Sequence, residues 1–205
     1  MLGEPTRDRR EERRTATKAE IVGAAWEVAR RDGLAALSLR DLARSVGMQA
    51  PSLYSYFESK NAIYDAMFAE GAQAYLDYAR SRPLTGDPLA DLQDGMRRFV
   101  DFCIEDPVRY QLLFQRTIPG FEPTPETYAI SVEGLDLVRK HLAEIGMTDP
   151  KALDLLTAIG NGLADQQISN DPGGDRWSRL VDEAMEMLFV HVTRKTTKPK
   201  GKARK

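Results

Sequence analysis

The sequence predicts an all-α chain of about nine helices in two domains. Three observations carry this. Apolar residues recur every three or four positions through nearly every segment, as one buried face of a helix requires. The segments are separated by helix breakers, including Gly33, Gly47, Gly146 and the Pro- and Gly-bearing runs 81–88 and 170–174. Charge is also partitioned along the chain. Residues 1–60 hold 11 Lys+Arg against 9 Asp+Glu, residues 61–193 hold 11 against 22, and residues 194–205 hold 7 against none.

With 205 residues, 42% of them hydrophobic, the chain can bury one or two small cores. A single cysteine, Cys103, excludes an intramolecular disulfide framework and most cysteine metal sites. His141 and His191 stand far apart without ligand spacing, so no metal and no cofactor are expected. No secretory leader and no bilayer-length apolar run is visible, and a cytoplasmic protein is expected. The charge partition directs any nucleic-acid contact to the two ends of the chain and away from its acidic middle.

Residues 1–16 mix Arg with Glu and Asp without apolar pattern and read as a flexible arm, either lying on DNA or simply solvated. A first helix is predicted over 17–31, opened by a Thr17…Glu20 capping box and buried through Ile21, Ala25, Val28 and Ala29, with Trp26 alongside. Ser38 then caps a short helix with Asp41 three residues on. Leu39, Leu42, Ala43 and Val46 form its apolar face, and Gly47 ends it. Pro51 suits the first turn of the next helix, and Leu53 and Phe57 continue the buried face.

Residues 39–57 are thus a helix-turn-helix pattern, whose second helix fits a DNA major groove. An ordinary helical hairpin with half-buried tyrosines has the same spacing. Ser59 caps a long fourth helix over 60–80. Lys60, beside the free N–H groups of its first turn, reads either as a phosphate ligand or as a plain exposed lysine.

The run ALSLRDLARSVGMQAPSLYSYFESKNAIYDAMF, and above all Leu53-Tyr54-x-Tyr56-Phe57-x-x-Lys60, resembles the DNA-binding domain of the tetracycline-repressor (TetR) family. The resemblance covers 17–68. It implies a homodimer placing a recognition helix in each of two major grooves. It also implies DNA contacts from Arg40, Gln49, Ala50, Pro51, Ser52, Tyr54, Ser55, Tyr56 and Lys60. Ala50 departs from the polar or Gly residue of many relatives, which limits it to apolar contact with a thymine methyl. By side-chain chemistry Tyr54, Ser52 and Lys60 suit phosphate, Gln49 and Tyr56 suit base edges, and Arg40 suits either. The domain boundaries expected are 17–62 for DNA binding, 63–193 for ligand binding and dimerisation, and 194–205 for a disordered basic tail.

In the second domain Leu89, Leu92, Met96, Phe99 and Cys103 step by three and four. A short helix follows over 108–115, then a loop over 117–127 long enough to act as a gate, then helices over 128–145, 151–169 and 176–193. The resemblance implies that the last two pair with their mates in a dimer, although their apolar stripes also suit a monomer core alone. Met96, Phe99, Phe102, Cys103, Tyr110, Phe114, Phe121, Asn161 and Trp177 are candidates for a ligand pocket, although each taken singly also suits a core. Asn161 and Gln166, on a mostly apolar helix, read either as its polar anchors or as interface hydrogen-bonders. Three functions are weighed. The first is a repressor released from a palindromic double-stranded DNA operator by a small, largely apolar effector. The second is a constitutive dimeric DNA-binding regulator without ligand. The third is a helical-domain enzyme, for which no catalytic constellation is visible.

Overall fold

The computed structural model describes residues 5–196, with side chains over 9–193. Among the described residues there are nine α-helices, two 3₁₀ turns and no strand: α1 Pro5–Asp32, α2 Leu39–Ser45, α3 Ala50–Tyr54, α4 Lys60–Arg80, α5 Pro88–Glu105, α6 Pro107–Phe114, α7 Pro125–Glu144, α8 Lys151–Asn170 and α9 Val181–Thr196. No helix among them is long and apolar enough to cross a membrane, and no cluster of three or more His, Cys, Asp or Glu could hold a metal ion. The chain forms two compact units. The first takes the residues up to Gln73 with Gln111–Ala129, and the second takes Ala74–Tyr110 with the residues from Ile130 onward.

In the first unit α1 buries Ile21, Val22, Ala25, Trp26, Val28 and Ala29. It begins at Pro5, not near Thr17, so the flexible arm expected over 1–16 is corrected for the described residues from 5 on. Periodicity is silent where a helix is solvated on every side. Arg and Glu nevertheless have high helix propensity, and Pro suits a first turn. The capping box fails for the same reason. Thr17 lies inside α1, and its hydroxyl donates to the Arg13 carbonyl one turn back (2.9 Å). The tail expected over 194–205 lies outside the described residues from 197 on, and α9 runs to Thr196.

In the second unit α5, α8 and α9 close around Leu92, Met96, Val100, Leu142, Met147, Leu156, Val181, Met185, Leu188 and Val192. Gly160 lets α8 approach α5 closely, since a Cβ there would sit 2.8 Å from the Met96 sulfur and 3.1 Å from the Phe99 ring. Arg98 donates to the Tyr78 carbonyl (2.8 Å) with its guanidinium on the Tyr78 ring.

The connection from α4 to α5 is held by a buried carboxylate. Asp91 accepts from Thr85 N (2.8 Å), Thr85 Oγ1 (2.8 Å) and Gly86 N (3.1 Å). Arg82 donates to the Asp91 carbonyl (2.6 Å) and to His141 Nε2 (3.0 Å). The Thr85 backbone N–H leads the contacts that hold the Asp91 carboxyl below its ordinary value, with Gly86 N–H and Arg82 adding to it. A depressed carboxylate stabilises the fold above its unfolded pKa, near 4, and loses that contribution as pH falls through the folded value. Asp91→Asn is therefore expected to lower the urea midpoint at pH 7, with the gap to wild type narrowing below about pH 4. A gap that stays constant with pH would show that the charge plays no part.

Candidate nucleic-acid interface

Residues 38–60 build a small rigid corner. Ser38 accepts the first-turn N–H of Asp41 on its hydroxyl (3.5 Å) and that of Leu42 on its carbonyl (2.9 Å). At the other end of α2, Gly47 N–H donates to Arg44 O (3.2 Å) and Met48 N–H to Ala43 O (2.8 Å), with Gly47 at φ +67°. This is the Schellman closure, in which the left-handed residue costs glycine nothing. The turn delivers the chain to α3, whose one buried residue is Leu53, with no exposed surface. It seats beside α2, where Ala43 is buried. Phe57 is buried one turn on.

Every other α3 side chain is left available. Arg40, Gln49, Pro51, Ser52, Tyr54 and Ser55 are exposed, and Ala50, Tyr56 and Lys60 are half-buried. Tyr54 stands out among them, an aromatic ring 54% exposed on a helix that buries one residue. Gln49, at the N-cap position, makes no capping bond with its side chain. The Ser55 hydroxyl turns back to Ser52 O (2.7 Å).

Ser59 caps α4 through Ala62 N (3.1 Å). Lys60 Nζ donates to Ala35 O (3.0 Å) and lies over the Tyr64 ring (5.4 Å to its centre). One of its three donors is thus committed inside the domain, leaving two for an anion. Tyr64 is itself fixed, its hydroxyl donating to Leu34 O, and burial pushes its pKa up to about 12.

Two groups that sequence reasoning missed frame this corner. Arg14, assigned to the arm, donates to Ser55 O (2.7 Å) and places its guanidinium 5.3 Å from the Tyr56 ring centre. Asp65 latches the end of the 115–124 loop, accepting from Thr124 N (2.7 Å), Thr124 Oγ1 (3.1 Å) and Thr127 Oγ1 (2.6 Å). Asn61 donates to Gly120 O (3.3 Å), and Phe121 packs on Tyr64 (5.5 Å between ring centres). The Arg- and Glu-rich run before Thr17 was a local signal for the first. The second joins residues about sixty apart and has no local signal.

Of the residues predicted to line a ligand pocket, Phe114 and Phe121 lie in the first unit and the other seven in the second. Met96, Phe102, Cys103 and Tyr110 are buried. Tyr75, not among those predicted, meets the Phe99 and Phe102 rings at 5.9 and 5.1 Å. Tyr110 donates to the Asn161 backbone carbonyl (3.3 Å). Burial pushes the Cys103 thiol pKa well up, so it behaves as a small hydrophobe. Of the predicted pocket residues, two carry a buried polar atom without a hydrogen-bond partner, Asn161 Oδ1 and Trp177 Nε1.

A capped helix, a glycine turn and a short helix with an exposed polar and aromatic face form a helix-turn-helix, the arrangement that enters a DNA major groove. Residues 21–67 match the model of bacterial regulatory proteins of the tetR family. The chain is 22% identical over 204 residues to the HTH-type transcriptional repressor Rv1353c of Mycobacterium tuberculosis, covering 94% of this chain and 76% of that one. Its fold matches that of a TetR variant from Acinetobacter baumannii in complex with minocycline, with a TM-score of 0.61 and 23% identity over 88% of this chain and 98% of the other. It also matches FadR of Bacillus subtilis in complex with stearoyl-CoA, with a TM-score of 0.59 and 17% identity over 83% of this chain and 96% of the other.

Proposed function

We propose that this chain is a ligand-responsive repressor: a homodimer that binds a palindromic operator and is released by a small, largely apolar effector. The DNA-reading part is 17–62, and effector binding and dimerisation fall to 63–193. The observation that carries the reading is the face of α3, where Gln49, Ser52, Tyr54 and Ser55 are all exposed while Leu53 alone anchors the helix. Dimerisation through 151–169 and 176–193 accounts for large apolar side chains left in solvent on α8 and α9, Leu155 and Met187. Two recognition helices about 34 Å apart then meet successive major grooves. The effector is a small molecule held among Met96, Phe99, Phe102 and Tyr110, with the unpartnered Asn161 Oδ1 and Trp177 Nε1 as its polar anchors. Minocycline and stearoyl-CoA in the two related structures are precedents for effectors with large apolar parts. The effector releases DNA only if it binds the released state more tightly than the bound one.

Selection of genomic fragments by the purified chain tests the DNA reading. An enriched palindrome that Tyr54→Ala no longer selects is the expected result, and retention of only unselective, salt-sensitive binding by the wild type would overturn it. Lys60→Ala is expected to weaken binding to all sequences alike and to shallow the dependence of log affinity on log salt by about one unit. An unchanged slope would remove Lys60 from the phosphate contacts and leave it as the internal tie to Ala35.

A further inference from the structure

We infer that Arg14 is a positioning residue that sets sequence discrimination, holding the C-terminal end of the recognition helix at its working angle. The inference rests on the DNA-reading role of α3. With five residues, α3 is too short to hold itself in place, because helix nucleation is unfavourable and only packing offsets it. Its restraints are therefore countable. The Gly47 closure fixes its entry, and Leu53 fixes its depth. At its exit the chain leaves helical geometry, and the Ser55 carbonyl, a C-terminal acceptor of the kind that lacks an intrahelical partner, receives Arg14 Nη2 at 2.7 Å. The same guanidinium lies over the Tyr56 ring, and one turn further along α1 Lys18 lies over the Phe57 ring, 5.5 Å from its centre. Positions 14 and 18 are one turn apart on α1, in line with the buried Val22 and Ala25, so a face rooted in the core continues as a cationic clamp beside the recognition helix.

Charge and geometry both suit the task. A cation at a helix C-terminus is favourable against the helix dipole, and a planar guanidinium can donate to a carbonyl and stack on a ring together. Tyr54, Ser55 and Tyr56 lie at this end of α3, so a small rotation there moves several of the side chains proposed to contact DNA. Arg14 and Lys18 also precede the segment 21–67 that matches the family model, so the cationic side of this clamp lies outside the matched segment. A positioning role and a phosphate role make different predictions. Loss of alignment removes base contacts, which release no counterions. Loss of a cation from a phosphate weakens all DNA alike and changes the salt slope.

The test uses the full chain, the duplex that the wild type enriches from a random-sequence pool, and a scrambled duplex of the same length and composition. Arg14→Ala is expected to weaken the selected duplex about tenfold, the scale of a lost charge-assisted hydrogen bond, while leaving the scrambled duplex and the salt slope unchanged. Arg14→Gln, which keeps an N–H₂ donor for the Ser55 carbonyl, is expected to recover part of the loss. Heat melts coincident with wild type confirm that both variants fold. Parallel weakening of both duplexes with a slope shallower by about one unit would overturn the inference in favour of a phosphate ligand, and unchanged binding to both would overturn it outright. A wild type that enriches no duplex would instead fail the DNA-reading role itself.

Discussion

Leu53→Ala is expected to lower the stability of the first unit by about 3 kcal/mol and to abolish operator selection. Leu53 has no exposed surface and is the one side chain by which α3 is buried. Truncation loses the transfer energy of the removed carbons and leaves a void against α2, which cannot collapse while Gly47 and the Ser38 cap fix both ends of that helix. The two tryptophans make the effect local in readout, since Trp26 is buried on α1 and Trp177 lies in the second unit. In a Trp177→Phe background, Trp26 fluorescence should report a lower urea midpoint for Leu53→Ala. In a Trp26→Phe background, Trp177 should report the second unit unchanged if the units unfold separately. Leu53→Met, which conserves volume, should cost less than about 1.5 kcal/mol and retain selection. An unshifted Trp26 transition in Leu53→Ala would mean that α3 is held by something other than this wedge.

How far the sequence foretold this arrangement depends on the range of the interactions involved. The bounds of α4 were read correctly because the cap, Ser59, is adjacent to the helix it starts. The α2–α3 turn was legible because a left-handed residue after an apolar face leaves a glycine in the sequence. The start of α1 was not legible, because amphipathic period is the wrong instrument for a solvated charged helix. In the sequence Lys60 reads as a phosphate ligand or as a plain exposed lysine. Its bond to Ala35 spans 25 residues, and no local pattern encodes it. The α8 amides illustrate a finer failure. Asn161 and Gln166 drew attention as polar residues on an apolar helix, yet the buried amide is their neighbour Gln167. The inward face runs through Leu156, Gly160, Ala164 and Gln167. It is marked by small residues where α5 comes close, so hydrophobicity alone misjudges the helix phase by one position.

Gln167 carries the second large effect. It is 2% exposed, and both ends of its amide are used. Oε1 accepts from Trp177 N (2.9 Å) and Ser178 N (3.1 Å), while Nε2 donates to the Asp171 carbonyl and to Asp171 Oδ2 (3.3 Å). One side chain thus satisfies the backbone of the 171–178 connection, which explains why α9 starts at Val181 and not at 176, with residues 178–180 in a 3₁₀ turn. Gln167→Ala leaves the Trp177 and Ser178 N–H groups without that acceptor in a partly dry site, while the Asp171 carbonyl keeps Gly174 N (3.1 Å), and should cost about 3 kcal/mol, the sum of more than one orphaned group. Gln166→Ala, which loses only a bond with exposed Asn170, should cost less than about 1 kcal/mol. Gln167→Glu separates hydrogen bonding from packing. It keeps the acceptors for Trp177 and Ser178 but turns a carboxylate toward Asp171, whose own carboxyl is held below its ordinary value chiefly by the Arg176 N–H. Like charges raise the pKa of the introduced group, so its destabilisation should be greatest near neutral pH and should diminish as pH falls and it takes up a proton. Urea melts followed at Trp177 measure all three. Equal costs for Gln166→Ala and Gln167→Ala would show that the connection is held by packing of the Trp177 ring, with the amide incidental. A loss in Gln167→Ala that Gln167→Glu partly recovers only at low pH would assign the connection to this one buried amide.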